Sequence, residues 1–333
     1  MNDVEIDRLR GPVLRSVSRS FYLSLRILPG PLRDPLSLAY LLARATDTIA
    51  DTPEPPMELR SEALRNLARA IQGDAPVETV AGIRNSFAPL QNNEAEQALI
   101  DALPAILEWL ELLDDRDRRE VRGVLKRINK GQMLDLERFG AGSGVQSLPT
   151  ASDLDEYTYL VAGCVGEFWT HTCFAHIQNF SDWAESEMLA LGVQYGKGLQ
   201  LINILRDIGA DLRAGRCYLP GDELHSLGLT PGEILAKPAR VESIVRHWHE
   251  KAESGMTAGL DYACAINQCR LRFATVLPAL IGARTLSLMR EAGPDVFERT
   301  VKVPRAEVRK VMASATLNFA SPSSLRRMFE RLR

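Results

Sequence analysis

The sequence predicts an all-α fold, and three observations carry that prediction. Apolar residues recur every three or four positions over most of the 333 residues, the period of a helix with one buried face. Strand signals, meaning short alternating runs rich in β-branched and aromatic residues, are scarce. Hydrophobic residues make up 45% of the chain and aromatic ones only 6%, a balance that suits a helix-rich globule better than a membrane protein or a disordered chain. The length would permit two domains, but large folds with one core exist, and the expectation is a single all-helical domain over 1–333.

Taken in order, helix patterns cover 7–27, 35–51, 59–72, 83–92, 94–112, 116–139, 151–178, 183–213, 231–235, 239–266, 270–291 and 304–316. Turn chemistry separates them: Pro29-Gly30-Pro31, Pro53 to Pro56, Gly73 to Pro76, Gly140 to Pro149, and Pro220 to Pro238. The stretch Gly140–Thr150 reads as a flexible connector, too short to mark a domain boundary. The run 274–289, ATVLPALIGARTLSLM, is short for a membrane span and contains Pro278 and Arg284, so it reads as a core helix. The basic tail Ser323–Arg333 suits either a solvated last helix or contact with an anionic membrane surface.

Several function classes are excluded. A net charge of −3, with the 40 Lys and Arg dispersed, argues against a nucleic-acid binder. No Rossmann glycine fingerprint, Walker loop or solenoid repeat is evident. The charged N-terminus MNDVEIDRLR lacks the apolar core of a secretion signal, so the expected location is the cytoplasm, extending to peripheral contact with the inner face of the membrane. Cys164, Cys173, Cys217, Cys264 and Cys269 are odd in number and form no C-x-x-C pair, which favours reduced thiols over disulfides or a zinc site. His247 and His249 are two apart and point to different sides of a helix, which favours a surface role over metal ligation.

The chemistry concentrates in residues 196–220, GKGLQLINILRDIGADLRAGRCYLP. Leu199, Ile202, Leu205, Ile208 and Leu212 mark an amphipathic helix that Gly215 ends. On that helix Asn203, Asp207 and Asp211 share one face as a ladder of oxygen ligands. Carboxylates so close repel unless a cation sits between them, and hard oxygens favour magnesium. One such ladder is equally the mark of a solvated face. A second copy upstream shifts the balance: PLSLAYLLARATDTIAD, residues 35–51, carries Asp47 and Asp51 at the same spacing on a helix otherwise apolar at nearly every turn. Burying unpaired carboxylates there is costly, so the two ladders are expected to face each other across a cavity and share metal ions with a diphosphate.

These motifs resemble, in order, those of the squalene and phytoene synthases: Ser18-Arg19-Ser20-Phe21, Asp47-Thr-Ile-Ala-Asp51, Tyr157-x-x-x-Val161-Ala162-Gly163-x-Val165-Gly166, Gln200-x-x-Asn203-Ile-x-Arg206-Asp207-x-x-x-Asp211, and Gly215-Arg216-x-Tyr218-x-Pro220. The resemblance implies the isoprenoid synthase fold, antiparallel helices around a central cavity. It also implies Mg2+ on Asp47, Asp51, Asn203, Asp207 and Asp211. Substrate contacts would come from Ser18, Arg19, Ser20, Phe21, Arg44, Val161, Gly163, Gln200, Asn203, Arg206 and Arg216. Tyr157 takes the catalytic tyrosine position, with Tyr40 near the first ladder. Family members often carry a further carboxylate in each ladder; here those positions are Ala50 and Ala210, so water, Asn203 or diphosphate oxygens complete the metal shell.

The implied reaction joins two farnesyl diphosphates through presqualene diphosphate and reduces the product to squalene with NADPH, Asn203, Arg206 and Lys302 being the residues for that cofactor. Thr48, and Val301-Lys302-Val303, resemble the squalene synthases more than the phytoene enzymes. The runner-up is a phytoene or dehydrosqualene synthase that omits the reduction, and a noncatalytic isoprenoid-binding protein is the reading from another class. No obligate protein partner is inferred. On the residues alone, structural ion pairing explains Arg44 and Arg206 nearly as well as phosphate binding, and helix packing explains Ala162, Gly163 and Gly166.

Overall fold

The computed structural model describes residues 2–18, 21–140 and 144–333, with only the backbone of Phe21, Leu23, Ser24 and Val77. The described chain is almost entirely helical, as predicted. It divides into two compact units, Met1–Gly140 with His171–His176, and Ala141–Thr170 with Ile177–Arg333.

The first unit contains α1 (Asp3–Arg8), α2 (Leu14–Ser18), α3 (Phe21–Arg26), α4 (Gly30–Asp51), α5 (Met57–Gln72), α6 (Val77–Phe87), α7 (Glu94–Asp101), α8 (Leu103–Glu111) and α9 (Asp115–Phe139). The helix expected over 7–27 is broken. Pro12 offers no amide and its ring crowds the preceding turn, and Leu9–Val13 widens into a π-helix. The helix expected over 94–112 likewise divides at Ala102, where Pro104 begins a new first turn. α4 starts five residues earlier than expected, because Pro31 falls where amides have no intrahelical partner and Pro35 omits only one bond. Its Leu38, Leu41, Leu42, Ala45 and Ile49 are fully buried against α9, α5 and α8. That burial leaves one polar stripe: Arg44 and Asp47 half-buried, Asp51 exposed.

The second unit contains α10 (Ala151–Thr158), the π-helix Tyr159–Gly163, α11 (Cys164–His176, its last residues in the first unit), α12 (Glu185–Arg213), α13 (Gly221–Ser226), α14 (Glu242–Ala265), α15 (Cys269–Ala292), α16 (Arg305–Asn318) and α17 (Pro322–Leu332). Helix α12 is its spine. Gly198 meets Gly255 of α14, and a Cβ at Gly166 would stand 2.0 Å from the Gly192 carbonyl oxygen, so backbone lies directly on backbone at both contacts. The expected Gly140–Thr150 connector holds a strand, β1 (Gln146–Leu148), parallel to β2 (Arg216–Pro220). Three residues are too few to show alternation, and the pairing partner lies far along the chain, after Gly215 turns at φ +83°.

Helix α15 with the 3-10 turn Gly293–Phe297 runs 29 residues, long and apolar enough by composition to cross a membrane. Leu271, Val276, Leu280, Ala283 and Leu286 are nonetheless buried by protein, the behaviour of a core helix. The tail forms α17, whose Leu325 and Phe329 are buried against neighbouring helices, so its apolar face is already covered. Arg272, 8% exposed, anchors this end: its guanidinium donates to the carbonyls of Ile266, Phe319 and Ala320.

Candidate active site

In the first unit, Arg44 is bonded on one side to Asp47 and on the other to Glu96 of α7. Asp51, one turn beyond Asp47, is exposed and has no ion-pair partner among the described residues. Two carboxylates therefore share one guanidinium, and a third, Asp51, adds its negative charge next to Asp47. Partial burial, then the neighbouring Asp51, push the Asp47 carboxyl up to about 6, against the pull of Arg44. Thr48 is buried with its hydroxyl unpaired, and Arg60 of α5 donates to the carbonyl of Ala50 at 2.9 Å. Tyr40 donates to the Val17 carbonyl at 3.2 Å, which ties α4 to α2. Ser18 is buried and returns its hydroxyl to the Leu14 carbonyl. Arg19 and Ser20 lie outside the described residues, as does the side chain of Phe21.

In the second unit, α12 presents Gln200, Asn203, Arg206, Asp207 and Asp211 at helical spacing. The apolar face is buried as predicted at Ile202, Leu205, Ile208 and Leu212, while Leu199 is half-buried. Arg206 grips the carboxylate of the next residue, Asp207, with Nε 3.1 Å from both oxygens. Arg216 of β2 donates to Asp211 Oδ1 at 2.9 Å. Each carboxylate here has its own guanidinium, unlike the first ladder. Asn203 is exposed and its amide nitrogen donates to Gln200 Oε1 at 3.3 Å.

Tyr157 is buried and stacks on Tyr218, ring centroids 5.2 Å apart and planes inclined by 24°. Val161 and Gly163 lie on the π-helical turn that follows, and Gly163 packs on Lys197 of α12, which in turn pairs with Asp155. The small residues Ala162, Gly163 and Gly166 thus serve helix contact first. Lys302 is exposed on the extended segment 301–304, following the turn that Gly209 and Arg213 hold against α12 through the Phe297 carbonyl.

Sequence reasoning missed Glu96, Arg60, Lys197 and Asp155. None stands at a fixed spacing from a ladder, so only Glu96, arriving on a separate helix, could have been guessed as a charge partner. Tyr218 stands out in the sequence only as part of the Gly215-Arg216-x-Tyr218-x-Pro220 motif. The cluster of Asp114, Asp117 and His176 was not singled out either; there Asp114 caps α9 by accepting the Asp117 amide, and His176 bonds Asp117 at 2.7 Å.

The chain matches the squalene/phytoene synthase family over residues 14–307. It is 34% identical over 249 residues to a bifunctional lycopene cyclase/phytoene synthase of Phaeosphaeria nodorum, covering 72% of this chain and 39% of that one. Against the squalene synthase of Schizosaccharomyces pombe it is 23% identical over 303 residues, covering 90% of this chain and 63% of that one. The chain spans between about two fifths and one half of the length of the fungal bifunctional lycopene cyclase/phytoene synthases it matches. In fold it is similar to TcSQS solved with the ligand BPH1237, with a TM-score of 0.77 at 21% identity, covering 99% of this chain and 92% of that one.

Proposed function

The chain belongs to the squalene/phytoene synthase family, and from that premise we propose that it joins two prenyl diphosphates head to head. The observation that carries this reading is the pair of carboxylate ladders on α4 and α12, each with its residues four apart and each bonded to arginine. Magnesium fits the donors: all are hard oxygens, and in the first unit the Asp47 and Glu96 carboxylates share the one Arg44 guanidinium while Asp51 adds a further negative charge beside Asp47, an excess that a divalent cation relieves. In the first unit Asp47 and Asp51 are the residues that would hold such an ion, and in the second unit Asp207, Asp211 and the Asn203 oxygen are. Bound there, Mg2+ would take up the negative charge of a departing diphosphate.

The chain's own side chains account for the rest. Arg44, Arg206 and Arg216 fix the carboxylates and carry N–H groups that match diphosphate oxygens. Tyr157, stacked on Tyr218 and out of water, offers a ring face to an allylic cation and a hydroxyl to relay a proton. The first condensation forms carbon–carbon bonds as one diphosphate and one proton leave, closing a cyclopropane. Loss of the second diphosphate leaves a cation that rearranges to the head-to-head skeleton and is discharged either by losing a proton or by accepting a hydride.

The finer reading is squalene from farnesyl diphosphate, with hydride from NADPH quenching the last cation and Asn203, Arg206 and Lys302 holding that cofactor. Thr48 and the exposed ammonium of Lys302, unpaired among the described residues, support it. A second reading, phytoene or dehydrosqualene synthesis without reduction, is favoured by the 34% identity to a phytoene synthase. Incubation with Mg2+ and farnesyl or geranylgeranyl diphosphate, with and without NADPH, separates them. Squalene only when NADPH is added supports the first. Dehydrosqualene or phytoene in both tubes supports the second, and binding without diphosphate release removes both.

A further inference from the structure

Away from the ladders, the N-terminal helices of the first unit enclose a pocket of about 210 Å3. The π-helical turn Leu9–Val13, α3 and the first turns of α4 line it, and π-helical turns concentrate at functional sites. Three arginines line this space, Arg10, Arg26 and Arg33, against a single carboxylate residue, Asp7. Arg10 is held by carboxylates, with Nη2 2.7 Å from Asp34 and Nη1 3.8 Å from Asp7. Its Nε, however, is buried and has no hydrogen-bond partner. Arg33 spends its Nε on the Leu28 carbonyl at 2.8 Å, which folds the side chain back over the turn. Neither Arg33 nor the exposed Arg26 has a carboxylate partner among the described residues. Ser37, only 2% exposed, completes the lining, and its hydroxyl has no hydrogen bond among the described residues.

A guanidinium can only donate, and three arginines against one Asp7 leave an excess of donors and positive charge that an anion with acceptor oxygens matches. Leaving a buried donor unpaired is costly, and such groups are rare in folded proteins. Here the buried unpaired Nε belongs to Arg10, a residue lining the pocket, and the Ser37 side chain lines it as well. The volume is below the range of 300 to 1,000 Å3 of sites for drug-sized ligands, about right for one or two phosphate groups and too small for a prenyl chain.

We propose that this pocket binds the phosphate group of a small anion, with Arg26 and Arg33 supplying bidentate contacts and Arg10 Nε and the Ser37 hydroxyl completing the shell. It is independent of the reaction proposed above. Two sources share that chemistry, free phosphate or diphosphate in solution and the phosphate head group of an anionic lipid.

The test is calorimetric titration of the full chain with inorganic phosphate and with diphosphate, in the absence of divalent metal. The double variant Arg26→Gln/Arg33→Gln should bind at least about tenfold more weakly for each guanidinium removed. Ser37→Ala should lose several-fold, and Arg44→Gln, at the first ladder, should retain this site. Thermal melts of the double variant and Ser37→Ala unchanged from the parent would show that binding, not folding, was altered. Equal binding by the parent, the double variant and Ser37→Ala overturns the proposal, as does a parent that binds neither anion. Sedimentation with phosphatidylcholine vesicles containing phosphatidic acid separates the sources: capture lost in the double variant assigns a lipid head group, and phosphate binding without capture assigns the free anion.

Discussion

Replacing Gly166 by alanine tests how closely α11 and α12 must approach for the second ladder to work. A Cβ there would stand 2.0 Å from the Gly192 carbonyl oxygen and 2.4 Å from its carbon. Ordinary contact needs more than 3 Å, so the helices must separate by roughly 1 Å, and overpacking of this kind costs about 1–3 kcal/mol. Alanine favours the helix over glycine by about 1 kcal/mol, which offsets part of the loss. The control is Gly123→Ala in α9, where nothing lies within 4 Å of the new methyl group. Propensity acts alone there, and stability should rise by about 0.5–1 kcal/mol. One substitution type thus gives opposite signs at two sites. Tyr157 precedes the moved helix and Asp207 lies on the other, so a displacement near 1 Å should also lower kcat by up to about 100-fold. Urea unfolding and diphosphate release read the two effects. A Gly166→Ala protein as stable and as active as its parent would refute the close-packing argument.

Asp47→Asn should abolish magnesium-dependent diphosphate release, yet raise the melting temperature of the metal-free protein at neutral pH. The sign follows from the elevated carboxyl: its contribution is full below the unfolded value near 3.8 and is lost as pH rises through about 6, so at pH 7.5 the ionised group opposes the fold. His249 acts in reverse. Burial, the main cause, lowers its pKa, and its ring bonds the Leu286 carbonyl at 2.9 Å; its contribution is complete above about pH 6.5 and falls away as pH drops below that. Between pH 7.5 and 5.5 the urea midpoint of the parent should fall more, or rise less, than that of His249→Gln, the difference isolating His249 from the opposing Asp47. Arg272→Met should cost roughly 3 kcal/mol or more in denaturant titration, since it strips donors from three carbonyls around α15 and α17.

The helical class was legible because burial of one face writes its period into the residues, as at Leu38, Leu42 and Ile49 in α4 or Ile202, Leu205 and Leu212 in α12. The ladders were legible for the same reason, spacing within one helix. What depends on a second segment was not. Glu96 reaches Arg44 from α7, and Tyr218 reaches Tyr157 from β2, pairings that no local period encodes. The π-helical turns at Leu9–Val13 and Tyr159–Gly163 were hidden because one added residue leaves the apolar stripe nearly unchanged. Gly166 had two explanations on the page of residues; the carbonyl of Gly192 decides for packing.

The parallel pairing of Gln146–Leu148 with Arg216–Pro220 bears on the order of assembly. Its partners are joined only after all of α10, α11 and α12 has intervened, so it is a contact of high sequence separation and belongs to the slow end of folding. Tyr218 and Arg216 ride on that strand, which makes the tyrosine stack and the Asp211 ion pair late events. A refolding chain should therefore recover its helical ellipticity first and its catalytic competence afterwards, with an interval in which the spine is formed and the enzyme is silent.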